Sequence, residues 1–238
     1  MDKRTIEKYQ LFAEENLGFR FKDVNLLITA LTHRSYVNEH KKIVHDHNER
    51  LEFLGDAVLE LVSSDFLFRN YNEPEGIMTA WRAALVRTEA ICAAGKELGY
   101  EPLVRLSKGE KNGTTRAHDV ILADCFEAVI GATYLDQGYA TAKKVIEKHI
   151  LSKIDTVLEE GSWRDPKSYF QELAQRYDSE TPVYRTIKEE GPDHDKIFTV
   201  GVYVGKTVKG IGVGHSKQEA QTLAAKEGIK LYKSQKIR

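Results

Sequence analysis

Residues 48–59, Asn48-Glu49-Arg50-Leu51-Glu52-Phe53-Leu54-Gly55-Asp56-Ala57-Val58-Leu59, carry acidic and apolar side chains at helical rather than strand spacing. At about 100° per residue, Glu49, Glu52 and Asp56 fall in a sector roughly 60° wide. Leu51, Leu54, Ala57, Val58, Leu61 and Val62 fall between roughly 80° and 220°, which predicts a broad core face on the other side. Like charges stacked one turn apart do not stabilise a helix. The ordinary reading of such a strip is a solvated face. Two features weaken that reading: no Lys or Arg stands four residues after any of the three acids, and Gly55 beside them permits a close backbone approach.

Further along, Asp124 and Glu127 repeat the design at i, i+3, with Phe126, Val129 and Ile130 turned the other way and Gly131 nearby. Two carboxylate pairs on two helices offer oxygen ligands suited to Mg²⁺, a hard ion that keeps waters and takes a few carboxylates plus substrate phosphate. Such an ion activates water in phosphodiester hydrolysis. Spacing alone leaves open a nucleic acid, a nucleotide or no ligand at all.

Apolar periodicity predicts helices over 6–17, 24–32, 49–70, 78–98, 120–134 and 140–158, an all-α front half. From Val183 the period becomes two. Strands are expected over 183–189, 197–204 and 207–213, with Gly205-Lys206 as a hairpin turn, between helices 167–177 and 217–233. The last helix opens on Ser216-Lys217-Gln218-Glu219, a capping box whose free N–H groups and Lys217 suit a phosphate. Polar residues with Gly161 and Pro166 between the halves divide the chain into 1–156, a linker 157–165, and an α-β-β-β-α unit over 166–238.

The 238 residues are 41% hydrophobic and 30% charged, which excludes disordered and collagenous classes. No apolar run approaches the length of a membrane span, so no membrane partner is expected. Met1-Asp2-Lys3-Arg4 leads into mixed charges without an apolar leader, and Cys92 and Cys125 lack CxxC spacing, so a cytoplasmic protein with free thiols is expected. Net charge is −1, but residues 165–238 hold 13 basic and 10 acidic residues, leaving net −4 for the front part.

The stretch from Asn48 to Leu59 resembles the signature of the ribonuclease III family of double-stranded RNA endonucleases. Leu31-Thr32-His33-Arg34-Ser35-Tyr36, Asn38-Glu39-His40, Arg82 to Val86, and Leu122 to Ala128 with Gly131-Ala132 and Tyr134-Leu135-Asp136 look like the same nuclease domain in order. Phe170 to Leu173, Glu190 to His194, and Gly212 to Lys217 with Glu219-Ala220 look like its double-stranded RNA-binding domain. The resemblance covers nearly the whole chain. It implies a homodimer in which Glu52, Asp56, Asp124 and Glu127 are Mg²⁺ ligands, Mn²⁺ being a substitute, with Asp56 and Glu127 the foremost catalytic residues. Glu49 is then a secondary acid nearer the dimer contact or the outer water shell, and Phe53 a dimer contact or a core residue. The products implied are 5′-phosphate and 3′-hydroxyl ends with a short 3′ overhang, in ribosomal and messenger RNA processing. By the same resemblance Gln171, Glu172 and His194 reach minor grooves, while Ser216 and Lys217 face phosphates, in a mode that reads duplex shape. One departure stands out: Gln218 and Gln221 occupy places that are basic in many such modules, which predicts a modest affinity.

Two rivals belong to other classes. A duplex-binding scaffold without activity is disfavoured because all four ligand positions are acidic. A His-Asp phosphohydrolase would use His33, His40, His45, Asp46 and His47, which stand in a polar stretch without a helical frame. Gly205-Lys206-Thr207 is no P-loop, because Val200 stands where Gly is needed and a strand follows.

Overall fold

The computed structural model describes residues 3–192 and 195–235. It divides into two compact units, Met1–Trp163 and Arg164–Arg238. The first is all-helical: α1 (Lys3–Phe12), α2 (Val24–Ala30), α3 (Arg34–Glu39), α4 (Glu49–Asn70), α5 (Glu75–Leu85), α6 (Thr88–Leu98), α7 (Lys108–Lys111), α8 (Thr115–Gln137), α9 (Tyr139–His149) and α10 (Ile154–Glu160). The long helices α4 and α8 share the most extensive interhelical contact and form the axis of the core. Leu51, Leu59 and Val62 pack there with Phe126, Val129 and Ile130, all buried.

Several boundaries differ from the periodicity reading. The span 78–98 is two helices, because Arg87 is extended (φ −68°, ψ 151°) and its carbonyl accepts the Ala90 and Ile91 N–H groups that open α6. Both helices keep their apolar faces on one core, so the period runs across the break. The span 140–158 is likewise divided at Ile150 (φ −114°, ψ −58°) by a 3-10 turn. Helix α1 passes into a π-helical turn over Ala13–Leu17 that ends at Gly18, whose φ of 85° suits glycine. The short α3 and α7 carry too few apolar residues to show a period. Helical structure also continues to Glu160, inside the stretch expected to be linker, and Trp163 packs edge-on against Trp81 of the front core.

Asp136 fixes the far end of α8. Buried, it accepts the N–H groups of Lys22 and Asp23, each at 2.8 Å, and the Gln137 amide at 2.6 Å, tying the α1–α2 connection to α8.

The second unit is α11 (Pro166–Asp178), β1 (Val183–Glu190), β2 (Ile197–Val204), β3 (Thr207–Gly214) and α12 (Lys217–Gln235). Its strands form one antiparallel sheet in the order β1-β2-β3, with Val204 opposite Thr207 across the Gly205-Lys206 turn. Val202 and Val204 pack on Phe170, Ala224 and Tyr232, a separate small core. Pro166 opens α11, where the Asp165 carboxylate accepts the Ser168 N–H at 2.9 Å. The capping box at α12 forms: Ser216 Oγ accepts the Glu219 N–H, while the Glu219 carboxylate reaches back to the His215 N–H.

Candidate active site and nucleic-acid interface

Helix α4 starts where it does because Asn48 is held from three sides. Its N–H donates to the Thr32 carbonyl at 2.9 Å, its carbonyl accepts the Leu51 and Glu52 N–H groups, and its buried side-chain amide faces Cys125 Sγ on α8 at 3.8 Å. A few residues on, α4 and α8 meet backbone to backbone. A Cβ on Gly55 would lie 1.7 Å from the Glu127 carbonyl oxygen, and one on Gly131 would lie 2.2 Å from that of Leu51. Only glycine allows this approach. Glu52 and Asp56 flank the crossing on α4, and Asp124 and Glu127 flank it on α8.

Glu127, Glu52 and Asp124 are perturbed by burial and by neighbouring acids. Burial pushes the Glu127 carboxyl up to about 8, and the charges of Asp56, Glu52 and Asp124 add to the shift. Burial also raises Glu52, reinforced by Asp124, Glu49 and Asp56. Asp124 is raised by burial too, with Glu49 adding and His33 opposing. Mutual repulsion in a partly desolvated place is what a bound cation relieves. Among the described residues none of these four carboxylates forms an ion pair. Glu49 is different: Arg34 stands 3.3 Å away and His47 3.9 Å, so its charge is already partly satisfied.

All four candidate donors are carboxylate oxygens, the chemistry a hard divalent ion prefers. Among the described residues no three of His, Cys, Asp or Glu are gathered closely enough to hold an ion by themselves. The fit to a hard divalent ion rests on donor type alone: carboxylates, partly buried at Glu52, Asp124 and Glu127, that no cation among the described residues pairs. Asp124 also borders an open cavity of about 440 Å³ lined by His33, Glu110, Thr114 and Arg116.

The outward side of α4 departs from the expected core face. Ala57 is exposed and Leu61 is 58% exposed, in line with Phe53 at 82% and Phe68 at 76%. The buried face is instead centred on Leu51, Gly55, Val58, Leu59 and Val62. A single apolar stripe thus lies in the open directly beside the acids, and stripes of this kind mark association surfaces.

In the second unit, Gln171 and Glu172 lie exposed on α11, with Ser168, Gln175 and Arg176 around a shallow depression of about 720 Å³. Glu172 accepts from Arg164 at 3.1 Å. Ser216 caps α12, and the Lys217 ammonium pairs with Glu189 at 2.7 Å while lying over the Phe198 ring. His194 falls outside the described residues.

A family model for ribonuclease-III-like nuclease domains matches residues 23–154, and one for the double-stranded RNA binding motif matches residues 166–232. The chain belongs to the ribonuclease III family. Relatives of this ribonuclease III include Ribonuclease 3 of Enterococcus faecalis, 45% identical with 91% of this chain and 94% of that protein covered. Ribonuclease 3 of Bacillus cereus is 44% identical over 96% and 93%. A solved ribonuclease III nuclease domain from Campylobacter jejuni, described for flexibility in a region involved in dimer formation, matches with a TM-score of 0.52 at 39% identity, over 58% of this chain and 96% of that one. A second structure of that domain gives 0.51 at 38% identity. This ribonuclease III is accordingly an endoribonuclease for double-stranded RNA, with a helical nuclease unit followed by an RNA-binding unit. Among its described residues no helix is long and apolar enough to cross a membrane.

The structure places Glu52, Asp56, Asp124 and Glu127 around one crossing and leaves Glu49 at its edge beside Arg34. Periodicity missed Asn48 and Asp136, two polar residues whose work is tertiary. The only local signal for Asn48 was its place just before a helix start. The histidines of the rival reading do not gather: His40 stacks on Tyr36, and His47 faces Glu49.

Proposed function

We propose that this ribonuclease III hydrolyses both strands of an RNA duplex as a homodimer, each nuclease unit presenting Glu52, Asp56, Asp124 and Glu127 to one strand. The observation carrying this reading is the set of like-charged, partly buried carboxylates at the α4–α8 crossing, led by Glu127 with its carboxyl raised to about 8. These four residues would hold Mg²⁺, with Mn²⁺ as a substitute. When bound, the ion supplies Lewis acidity to a water and to the leaving oxygen. Asp56 and Glu127 stand foremost in the reaction, and Glu127, its carboxyl raised by burial and by the neighbouring acids, holds or releases a proton at the site. Glu49, tethered by Arg34, orients the edge of the cluster. Water oxygen joins phosphorus, the bond from phosphorus to O3′ breaks and O3′ takes a proton. The products are a 5′-phosphate and a 3′-hydroxyl, with short 3′ overhangs when two offset sites cut.

The stripe of Phe53, Ala57, Leu61 and Phe68 supports self-association, since an isologous contact needs one self-complementary patch. Residues 1–156 do the nuclease work and residues 166–238 bind the duplex. There Gln171 and Glu172 face minor grooves, and Ser216 and Lys217 face phosphates. Two buried free cysteines fit a cytoplasmic enzyme, acting on ribosomal precursor and messenger RNA.

The test is a denaturing gel of long RNA duplex, matched single strand and matched DNA duplex, each incubated with the protein in Mg²⁺. Cleavage of the RNA duplex alone, with 5′-phosphate ends, is expected. Binding without cleavage would favour a scaffold and overturn the assignment of the four carboxylates.

A further inference from the structure

The first turn of α12 offers a capped N-terminus and Lys217, but Gln221 stands one turn further along the same strip where a second cation would be expected. A cation is nevertheless there. Lys167, the second residue of α11, donates from Nζ to Gln221 Oε1 at 2.8 Å and lies 5.1 Å from the centre of the Tyr184 ring. Its side-chain hydrogen-bond and ring partners are neutral, and Asp165 senses its charge from further off. Three other lysines of the unit are tied to acids: Lys188 to Glu190, Lys209 to Asp178 and Lys217 to Glu189. Asp165, the nearby carboxylate, is engaged by the Ser168 N–H and hydroxyl.

We infer that Lys167 is a phosphate-contacting residue of the duplex interface, positioned by Gln221 and Tyr184 so that α11 supplies the charge α12 lacks. The half-buried side chain is held in one place before RNA arrives, which limits the rotamer freedom lost on binding. Its nearest carboxylate, Asp165, is committed to the Ser168 N–H and hydroxyl and forms no close ion pair with it, whereas Lys217 must exchange Glu189 for a phosphate. The inference rests on the proposed reading that the start of α12 faces duplex phosphates.

The test measures the affinity of the full-length chain for an RNA duplex of about 30 base pairs with divalent ions chelated, across a salt series long enough for the binding unit's footprint of about 16 base pairs. Lys167→Gln should weaken binding and lower the slope of log affinity against log salt by about one. Its deficit should then shrink about threefold between roughly 50 and 200 mM salt. Lys167→Met, which keeps the apolar stem over Tyr184 and removes only the charge, should lower the slope likewise and decides the matter if Lys167→Gln fails to fold. Lys206→Gln, in the β2–β3 turn at the other end of the sheet, should change neither quantity. A wild-type slope for Lys167→Gln beside a reduced one for Lys217→Gln would overturn the inference alone. Wild-type slopes for both would overturn the reading of α12 on which it rests. An equal loss in Lys206→Gln would reduce the effect to net charge and overturn it too.

Discussion

With divalent ions chelated, replacing Glu127 with Gln should stabilise the nuclease unit at alkaline pH while abolishing cleavage. The Glu127 carboxyl moves from its ordinary 4.5 to about 8 because it is partly buried among Asp56, Glu52 and Asp124. The folded site therefore favours the protonated form. Its contribution to stability is full below about 4.5 and is lost as pH rises through about 8, since the folded state then binds more protons than the unfolded one. At ~1.4 kcal/mol per tenfold change in proton affinity, that interval would amount to about 5 kcal/mol for a group sealed from water. Glu127 is only half-buried, and solvent screening brings the expected cost to about 2 kcal/mol. Gln has the shape of the protonated acid and escapes this cost. For a unit of this size the variant should melt about 4–8 °C above wild type near pH 8.5 and close to it near pH 4. Thermal unfolding followed by circular dichroism at both pH values, with the gel assay run alongside, reads the two effects. Mg²⁺ should raise the wild-type transition at the alkaline pH and leave the variant's nearly unmoved. A pH-independent gap, or a variant less stable than wild type at alkaline pH, would refute the picture of a repelling, partly desolvated cluster.

Gly55→Ala should cost more than about 3 kcal/mol in denaturant unfolding, because its Cβ would lie 1.7 Å from the Glu127 carbonyl oxygen and the helices must part. Asp136→Asn should cost about 1–3 kcal/mol by turning one acceptor of the Lys22 and Asp23 N–H pair into a donor, read in the same experiment. Phe53→Asp should leave a folded monomer at micromolar concentration by light scattering; a dimer mass would show that the α4 stripe is not the association surface.

The front unit was legible where helical period and chemistry coincide. On α4 and α8 the acids fall beside glycines, and the alternation from Ile197 to Val213 fixes the sheet of the second unit. The break at Arg87 was hidden because no Gly or Pro marks it and the apolar faces of α5 and α6 share one core. Ala57 and Leu61 were assigned inward because an apolar side chain meant for another surface has the same period as one meant for the interior. Asn48, Asp136 and the Gln221–Lys167 contact depend on residues 54 to 114 positions away, a distance at which local pattern carries no signal.

Because α4 and α8 touch through peptide atoms at Gly55 and Gly131, the gap between the two acidic pairs is set by the hard contact radius of the backbone rather than by the volume of any side chain. Trimming a core leucine elsewhere lowers the melting point but has no lever on that gap. Loss of robustness and loss of turnover should therefore separate cleanly across a mutational scan of this unit: broad tolerance through the leucine and valine interior, and abrupt failure at two positions that bear no functional group at all.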